Sequence, residues 1–136
     1  MDCGREFFAD EELHFYYDME ECLAQEKPNV ALLSSVIQYI EEPYKLLGDL
    51  TTRNFPYIII DRTPFSDSDH DLLTIQHVSG DIYEASYPSW IFNFRKFCQV
   101  LARNYSIMGD FAAIDGVNKS GRIIVQYRGV IFKKNV

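Results

Sequence analysis

The sequence predicts an α/β domain whose sheet is mostly parallel and closes with an antiparallel hairpin. Three observations predict it. Two apolar runs, Val30-Ala31-Leu32-Leu33-Ser34-Ser35 and Tyr57-Ile58-Ile59-Ile60-Asp61, are continuous rather than alternating, as in strands covered on both faces of a parallel sheet. Segments with helical spacing separate the strand-like stretches, and that alternation is the signature of a parallel sheet with helical crossovers. Near the end, a turn over Gly116 to Gly121 joins two further strand-like stretches, which places one antiparallel strand in the sheet.

The elements follow in order. Cys3 to Ala9 reads as the end of a helix. Leu13 to Tyr17 reads as a short aromatic strand, and Asp18 can cap a helix over Met19 to Gln25. Lys27-Pro28-Asn29 ends that helix. After the first apolar run, Pro43 suits the first turn of a helix reaching Leu50, with Tyr44, Leu46, Leu47 and Leu50 on one face. Thr51 to Phe55 connects it to the second apolar run. Arg62 to Asp71 reads as a polar loop, Leu72 to Val78 as a strand of a hairpin or flap, and Tyr83 to Pro88 as irregular. Ser89 is a candidate N-cap for a helix over Trp90 to Arg103, whose stripe is Ile91, Phe94, Phe97, Cys98 and Leu101. Tyr105 to Phe111 and Arg122 to Phe132 are the closing strands.

The composition suits one domain of 136 residues, with 47% hydrophobic, 24% charged and 15% aromatic residues. A net charge of -7 repels phosphate backbones and argues against nucleic acid as a partner. No uncharged apolar stretch is long enough to span a membrane, and the opening residues hold no apolar signal core. A cytoplasmic location is the expectation. Cys3, Cys22 and Cys98 are far apart and odd in number, so reduced, mostly buried thiols are expected, with no zinc site or disulfide framework.

Three segments carry a resemblance. Leu33-Ser34-Ser35-Val36-Ile37-Gln38-Tyr39-Ile40-Glu41-Glu42-Pro43-Tyr44-Lys45-Leu46-Leu47 resembles the region around the fourth strand of class I S-adenosylmethionine-dependent methyltransferases. Tyr57-Ile58-Ile59-Ile60-Asp61-Arg62-Thr63-Pro64-Phe65 resembles their fifth strand and its exit loop. Tyr87-Pro88-Ser89-Trp90-Ile91 resembles a family of methyltransferases linked to surface-polysaccharide synthesis. The resemblance covers most of the chain and implies a partial Rossmann-like methyltransferase sheet with the first two strands absent. It also implies S-adenosylmethionine as cofactor. The chain departs from that family in one large respect. The glycine-rich loop that lets the backbone approach the cofactor has no counterpart, because Gly4 is the only glycine before Gly48. The ribose-binding acid is missing with it. The expectation is therefore a fragment, a truncated product, or a domain completed by another chain, in which the cofactor site is incomplete.

The resemblance also implies site residues. Asp18 would accept a hydrogen bond from the adenine amino group and Met19 would pack on the ring; Asp18 serves equally as a helix cap. Ser34 and Ser35 end a buried strand on the edge where such sheets bind ligands. They would face the methionine part of the cofactor, or else be strand-end residues satisfied by backbone. Tyr39 would line the same pocket or belong to the core.

Asp61, Arg62 and Thr63 end the next strand on that edge. Asp61 is a candidate general base for an acceptor hydroxyl and Arg62 a candidate anion-binding group; an Asp61–Arg62 pair holding the loop is the alternative. His70 is the side chain most suited to titrate near neutral pH, although its loop of Asp and Ser reads as solvated surface. That loop lacks the glycine and closing glutamate of a calcium loop, so no metal is expected. His14 and His77 read as structural. Tyr83, Tyr87 and Trp90 form either an aromatic wall for a saccharide or a clamp on the sheet.

The expected function is methyl transfer to an oxygen of a saccharide or other small acceptor. The rival is a non-catalytic scaffold or interaction module. In that rival the Val30 to Ser35 strand is an open edge, filled by a second copy or by Leu13 to Tyr17 in a rearranged sheet. A flavodoxin-like domain fits the alternation but not the terminal hairpin.

Overall fold

Tyr57–Ser66 (β2) is the strand on which the rest of the sheet is assembled. The structure is a computed structural model that describes residues 1–136 apart from the side chain of Ser120. On one side of β2, Val30–Ser34 (β1) pairs with its first half in parallel, Leu32 opposite Ile59 and Ser34 opposite Asp61. Ser86–Asn93 (β4) then takes over the same side and pairs in parallel with Phe65 and Ser66. Leu72–His77 (β3) lies antiparallel on β4. On the other side, Ile123–Lys134 (β6) runs antiparallel to β2, and Tyr105–Ser120 (β5) is antiparallel to β6. The last strand is thus seated between β2 and β5 rather than at the rim.

Two pairings are parallel and three antiparallel. The sheet is therefore mixed, not mostly parallel. The difference arises from the segment after Asp61. It reads as a polar loop, yet β2 continues to Ser66. A bulge makes this possible: the register shifts between Ile60 and Thr63, and Arg62 takes φ 51°. Bulges re-aim a strand and tolerate proline, so Pro64 sits in the ladder opposite Tyr127. Phe65 is then carried into the core.

The helices are short. Asp2–Phe7 (α1) and Met19–Gln25 (α2) precede the sheet; Pro43–Thr52 (α3) links β1 to β2, and Phe94–Leu101 (α4) links β4 to β5. A 3-10 turn, Ile37–Tyr39, follows β1. Ile58, Ile60, Val130 and Phe132 face α3 and α4 and form the core with Leu47, Leu50, Phe97 and Leu101. The intervening residues point the other way, since side chains alternate along a strand. Leu32, Ile59 and Ile131 are register neighbours on that second face, and Leu32 is 62% exposed there.

Four further expectations are corrected. Leu13 to Tyr17 forms no strand, and it does not fill the sheet. Its backbone groups are taken by side chains: Arg5 Nε donates to the Phe15 carbonyl at 2.9 Å, Tyr17 N–H to Glu21 Oε2 at 2.7 Å, and Leu13 N–H to Asp10 Oδ1 at 2.7 Å. Such local bonds compete with a ladder.

The helix expected over Trp90 to Arg103 is only Phe94–Leu101, and the irregular stretch before it ends in β4. Ser89 is a buried strand residue; the N-cap is Asn93, which accepts from Lys96 N–H at 2.7 Å. The aromatic and β-branched run Tyr87 to Phe92 favours a strand. The turn expected over Gly116 to Gly121 is confined to Gly121 and Arg122. Gly116, with φ 71°, instead makes a bulge in β5, where the register shifts between Ala112 and Val117. The thiols are not mostly buried, because Cys3 is exposed and Cys22 and Cys98 are partly so. No helix among the described residues is long and apolar enough to cross a membrane.

Candidate functional site at the end of β1 and the bulge of β2

Ligands of open α/β sheets sit beyond the carboxyl ends of parallel strands. Here β1 ends on Ser34, Ser35 follows it, and the neighbouring β2 bulges at Asp61 and Arg62 before running on to Ser66. Ser34 Oγ donates to Asp61 Oδ2 at 3.3 Å. Ser35 turns sharply, with φ 55°, and its N–H donates to the Asp61 carbonyl at 3.0 Å. A non-glycine residue in that left-handed region is uncommon and marks a constrained turn. The turn delivers the 3-10 segment that carries Gln38 and Tyr39.

Gln38 ties the end of β1 to the bulge of β2. Its Nε2 donates to Ser35 Oγ and to the Arg62 carbonyl, each at 3.2 Å. Arg62 forks onto Asp115 through Nε and Nη2, both at 3.0 Å. This two-pronged, charge-assisted bond is the strong form of the pair. It holds the Asp115 carboxyl below the usual carboxylate range, chiefly through the Arg62 hydrogen bond, and it raises Arg62 in turn. Asp115 lies beside the Gly116 bulge of β5, so this pair joins that bulge to the bulge of β2. Asp61 does not pair with Arg62's guanidinium; its Oδ1 accepts from the Arg62 backbone N–H at 2.8 Å. Thr63 is fully buried, and its hydroxyl donates to the Asp61 carbonyl at 3.1 Å.

Aromatic side chains wall one flank. Tyr39 meets Tyr87 edge to face, with centroids 5.4 Å apart, and its hydroxyl donates to Gln76 Oε1 at 3.3 Å. Trp90 Nε1 donates to the Ile40 carbonyl at 3.1 Å, which fixes the indole against the 3-10 turn. Tyr127 is pushed up by burial, then by Tyr39, Asp115 and Tyr87; Tyr87 rises for similar reasons, burial first.

The structure thus gathers Ser34, Ser35, Tyr39, Asp61, Arg62, Thr63, Tyr87 and Trp90 around the end of β1 and the bulge of β2. Three expected residues lie apart. His70 is exposed and binds Asp69 and Ser68; it lines a different cleft with Glu42, Tyr44, Asp71 and Lys96, and shares neither a hydrogen bond nor a cleft with Asp61. Asp18 caps α2, accepting from Glu21 N–H at 2.8 Å. Met19 packs on the core. Glu20, next in that helix, pairs with Arg53 just past the end of α3, which ties the first turn of α2 toward the amino-terminal end of β2.

Gln38, Asp115 and Tyr127 are the site residues that sequence reasoning missed. Gln38 stands inside the segment quoted for the resemblance, and its position three residues after Ser35 was a usable signal. Asp115 had none, because its partner is 53 residues away.

Comparisons with known proteins add shape alone. No family model matches the chain, and no curated protein matches it. Two solved structures are similar, both of the N-terminal domain of EvdMO1. One was solved in the presence of SAH and D-fucose (13% identity, TM-score 0.47) and one with SAH bound (12% identity, TM-score 0.47). Each covers 79% of this chain and 47% or 46% of the other. The chain therefore spans about half the length of the solved structures it resembles.

Proposed function

We propose that this chain supplies the acceptor side of an S-adenosylmethionine-dependent methyltransferase domain acting on an oxygen of a saccharide or other small molecule. The observation that carries the reading is the cluster at the end of β1 and the bulge of β2, built from the two segments that resemble the fourth and fifth methyltransferase strands. The seating of the last, antiparallel strand beside β2 supports it.

The residues present fit the cofactor at one end only. Ser34 and Ser35 offer hydroxyls suited to its amino-acid part. No glycine cradle for the nucleoside is gathered there: Gly4 lies in α1 with the Phe15 ring against it, 2.7 Å from where a Cβ would be, and Asp18 spends a carboxylate oxygen on its own helix. In this reading Asp61 takes the proton of the acceptor hydroxyl, the Arg62–Asp115 pair fixes the bulge that presents it, and Tyr87 and Trp90 flank the acceptor.

Calorimetric titration of S-adenosylhomocysteine into the purified chain tests this. Binding in the millimolar range, weakened by Ser34→Ala, is expected of a site that fits one end of the cofactor; binding that Ser34→Ala leaves unchanged, or none up to about 10 mM, contradicts it.

A second reading, a non-catalytic module that joins a second copy of itself, is favoured by the free edge of β1. That edge pairs with nothing among the described residues, and Val30 and Leu32 are exposed beside it.

A further inference from the structure

Gln38 is 1% exposed. Its nitrogen is identified by its partners, because the Arg62 carbonyl can only accept. That leaves Oε1 buried without a partner, which is uncommon for a buried polar atom. Gln38 also lines a cleft of about 310 Å³ whose walls include Tyr39, Glu41, Leu73, Pro88 and Trp90. Leu73 and Trp90 are register partners, as are Ile75 and Pro88, so these residues form one apolar shelf on the β3–β4 hairpin. The polar tips of the aromatic walls are already engaged: Trp90 Nε1 by Ile40 and Tyr39 Oη by Gln76. The unpartnered polar atom in the cleft wall is an acceptor, so a ligand that reaches it must bring a hydrogen-bond donor, and Glu41 sets the cleft against anions.

We infer that this cleft binds a neutral, hydroxylated ring of the pyranoside kind, whose C–H face lies on the aromatic shelf and whose hydroxyl donates to Gln38 Oε1. The inference names a ligand class and a specificity residue for the acceptor side, and rests on the function proposed above only for why the chain holds such a ring.

Trp90 is the single tryptophan of the chain, so its fluorescence reports on this cleft. Titration with methyl β-D-glucopyranoside is expected to give a saturable change, with a dissociation constant of about 1–10 mM. The fully O-methylated glucoside keeps the ring but has no donor, and should bind at least about tenfold more weakly. The corresponding glucuronide should also bind more weakly than the neutral glucoside. Gln38→Met should abolish the preference for the free hydroxyls. If that variant fails to fold by circular dichroism, the ligand comparison on the unaltered chain stands alone. The inference is overturned by the absence of a saturable change up to about 100 mM, by equal binding of the methylated sugar, or by equal binding of the glucuronide. No cofactor enters the experiment, so its failure is separate from failure of S-adenosylhomocysteine to bind.

Discussion

Arg62 does two things at once: its backbone makes the β2 bulge and its guanidinium reaches across the sheet to Asp115. The forked bond lowers the Asp115 pKa, so its sign is that of a depressed carboxylate. The stabilisation is present above the unfolded value, about 3.9, and is lost as pH falls through the lower folded value. The pair is partly exposed, so its worth is small and salt-sensitive. Carbon-detected NMR titration should find Asp115 below the ordinary range and moving back up in Arg62→Ala; an unchanged titration would remove the pair from the account. The cysteines give a second expectation at this scale. Burial pushes the Cys98 thiol up to about 11, while Cys3 is exposed. Because the thiolate is the reactive form, a disulfide reagent at pH 8 should label Cys3 readily and Cys98 only on unfolding. Ser34, Ser35 and Asp61 were legible because they terminate apolar runs. Asp115 was not, because nothing local distinguishes an acid in a hairpin strand from one that pairs across the sheet.

Among the elements, the junction of β4 and α4 shows how a helical stripe misleads. Ile91 fits the spacing of Phe94, Phe97 and Leu101, yet it belongs to a strand, and the chain changes conformation at Asn93. A network there fixes the boundary. Asp71, whose side chain is 5% exposed, accepts from Asn93 N–H at 2.8 Å and Tyr44 Oη at 2.8 Å, and pairs with Lys96. Burial raises its pKa, and the bonds from Lys96, Asn93 and Tyr44 more than reverse that. The carboxylate thus joins the approach to β3, the first turn of α4 and the first turn of α3. Asp71→Ala strands these donors and should cost about 2–4 kcal/mol in urea unfolding. Loss of the Asn93 cap alone should cost about 1 kcal/mol. Equal, negligible effects of both would show that the junction is held by Phe92 and Phe97 packing instead. The sequence marks Asp67 to Asp71 as polar, which is correct for exposed Asp67 and Asp69 but not for Asp71, since its burial depends on three elements meeting.

For the whole molecule, the two apolar runs signal strands covered on both faces, and the structure covers one. Helices α3 and α4 bury Ile58, Ile60, Val130 and Phe132, while Leu32, Ile59 and Ile131 run in register across the other face. Exposed apolar rows and free strand edges favour association. Light scattering on the eluting protein should show self-association that weakens at low concentration, and Leu32→Lys should shift it to monomer; a strict monomer throughout would set aside the second reading of function. Strands β1, β2, β5 and β6 were legible from the apolar runs and the terminal hairpin, whereas β4 and the seating of β6 between β2 and β5 were not. The mixed character of the sheet was not, because it depends on the Arg62 bulge and on the β3–β4 hairpin docking beside β2.

The central claim, that the end of β1 and the bulge of β2 form the ligand site, is tested most directly by amide NMR spectra with added S-adenosylhomocysteine. The expected result is saturable shifts at Ser34, Ser35, Gln38, Asp61 and Arg62, with His70 and Asp71 unmoved. Shifts confined to other residues, or none at millimolar ligand, would contradict it.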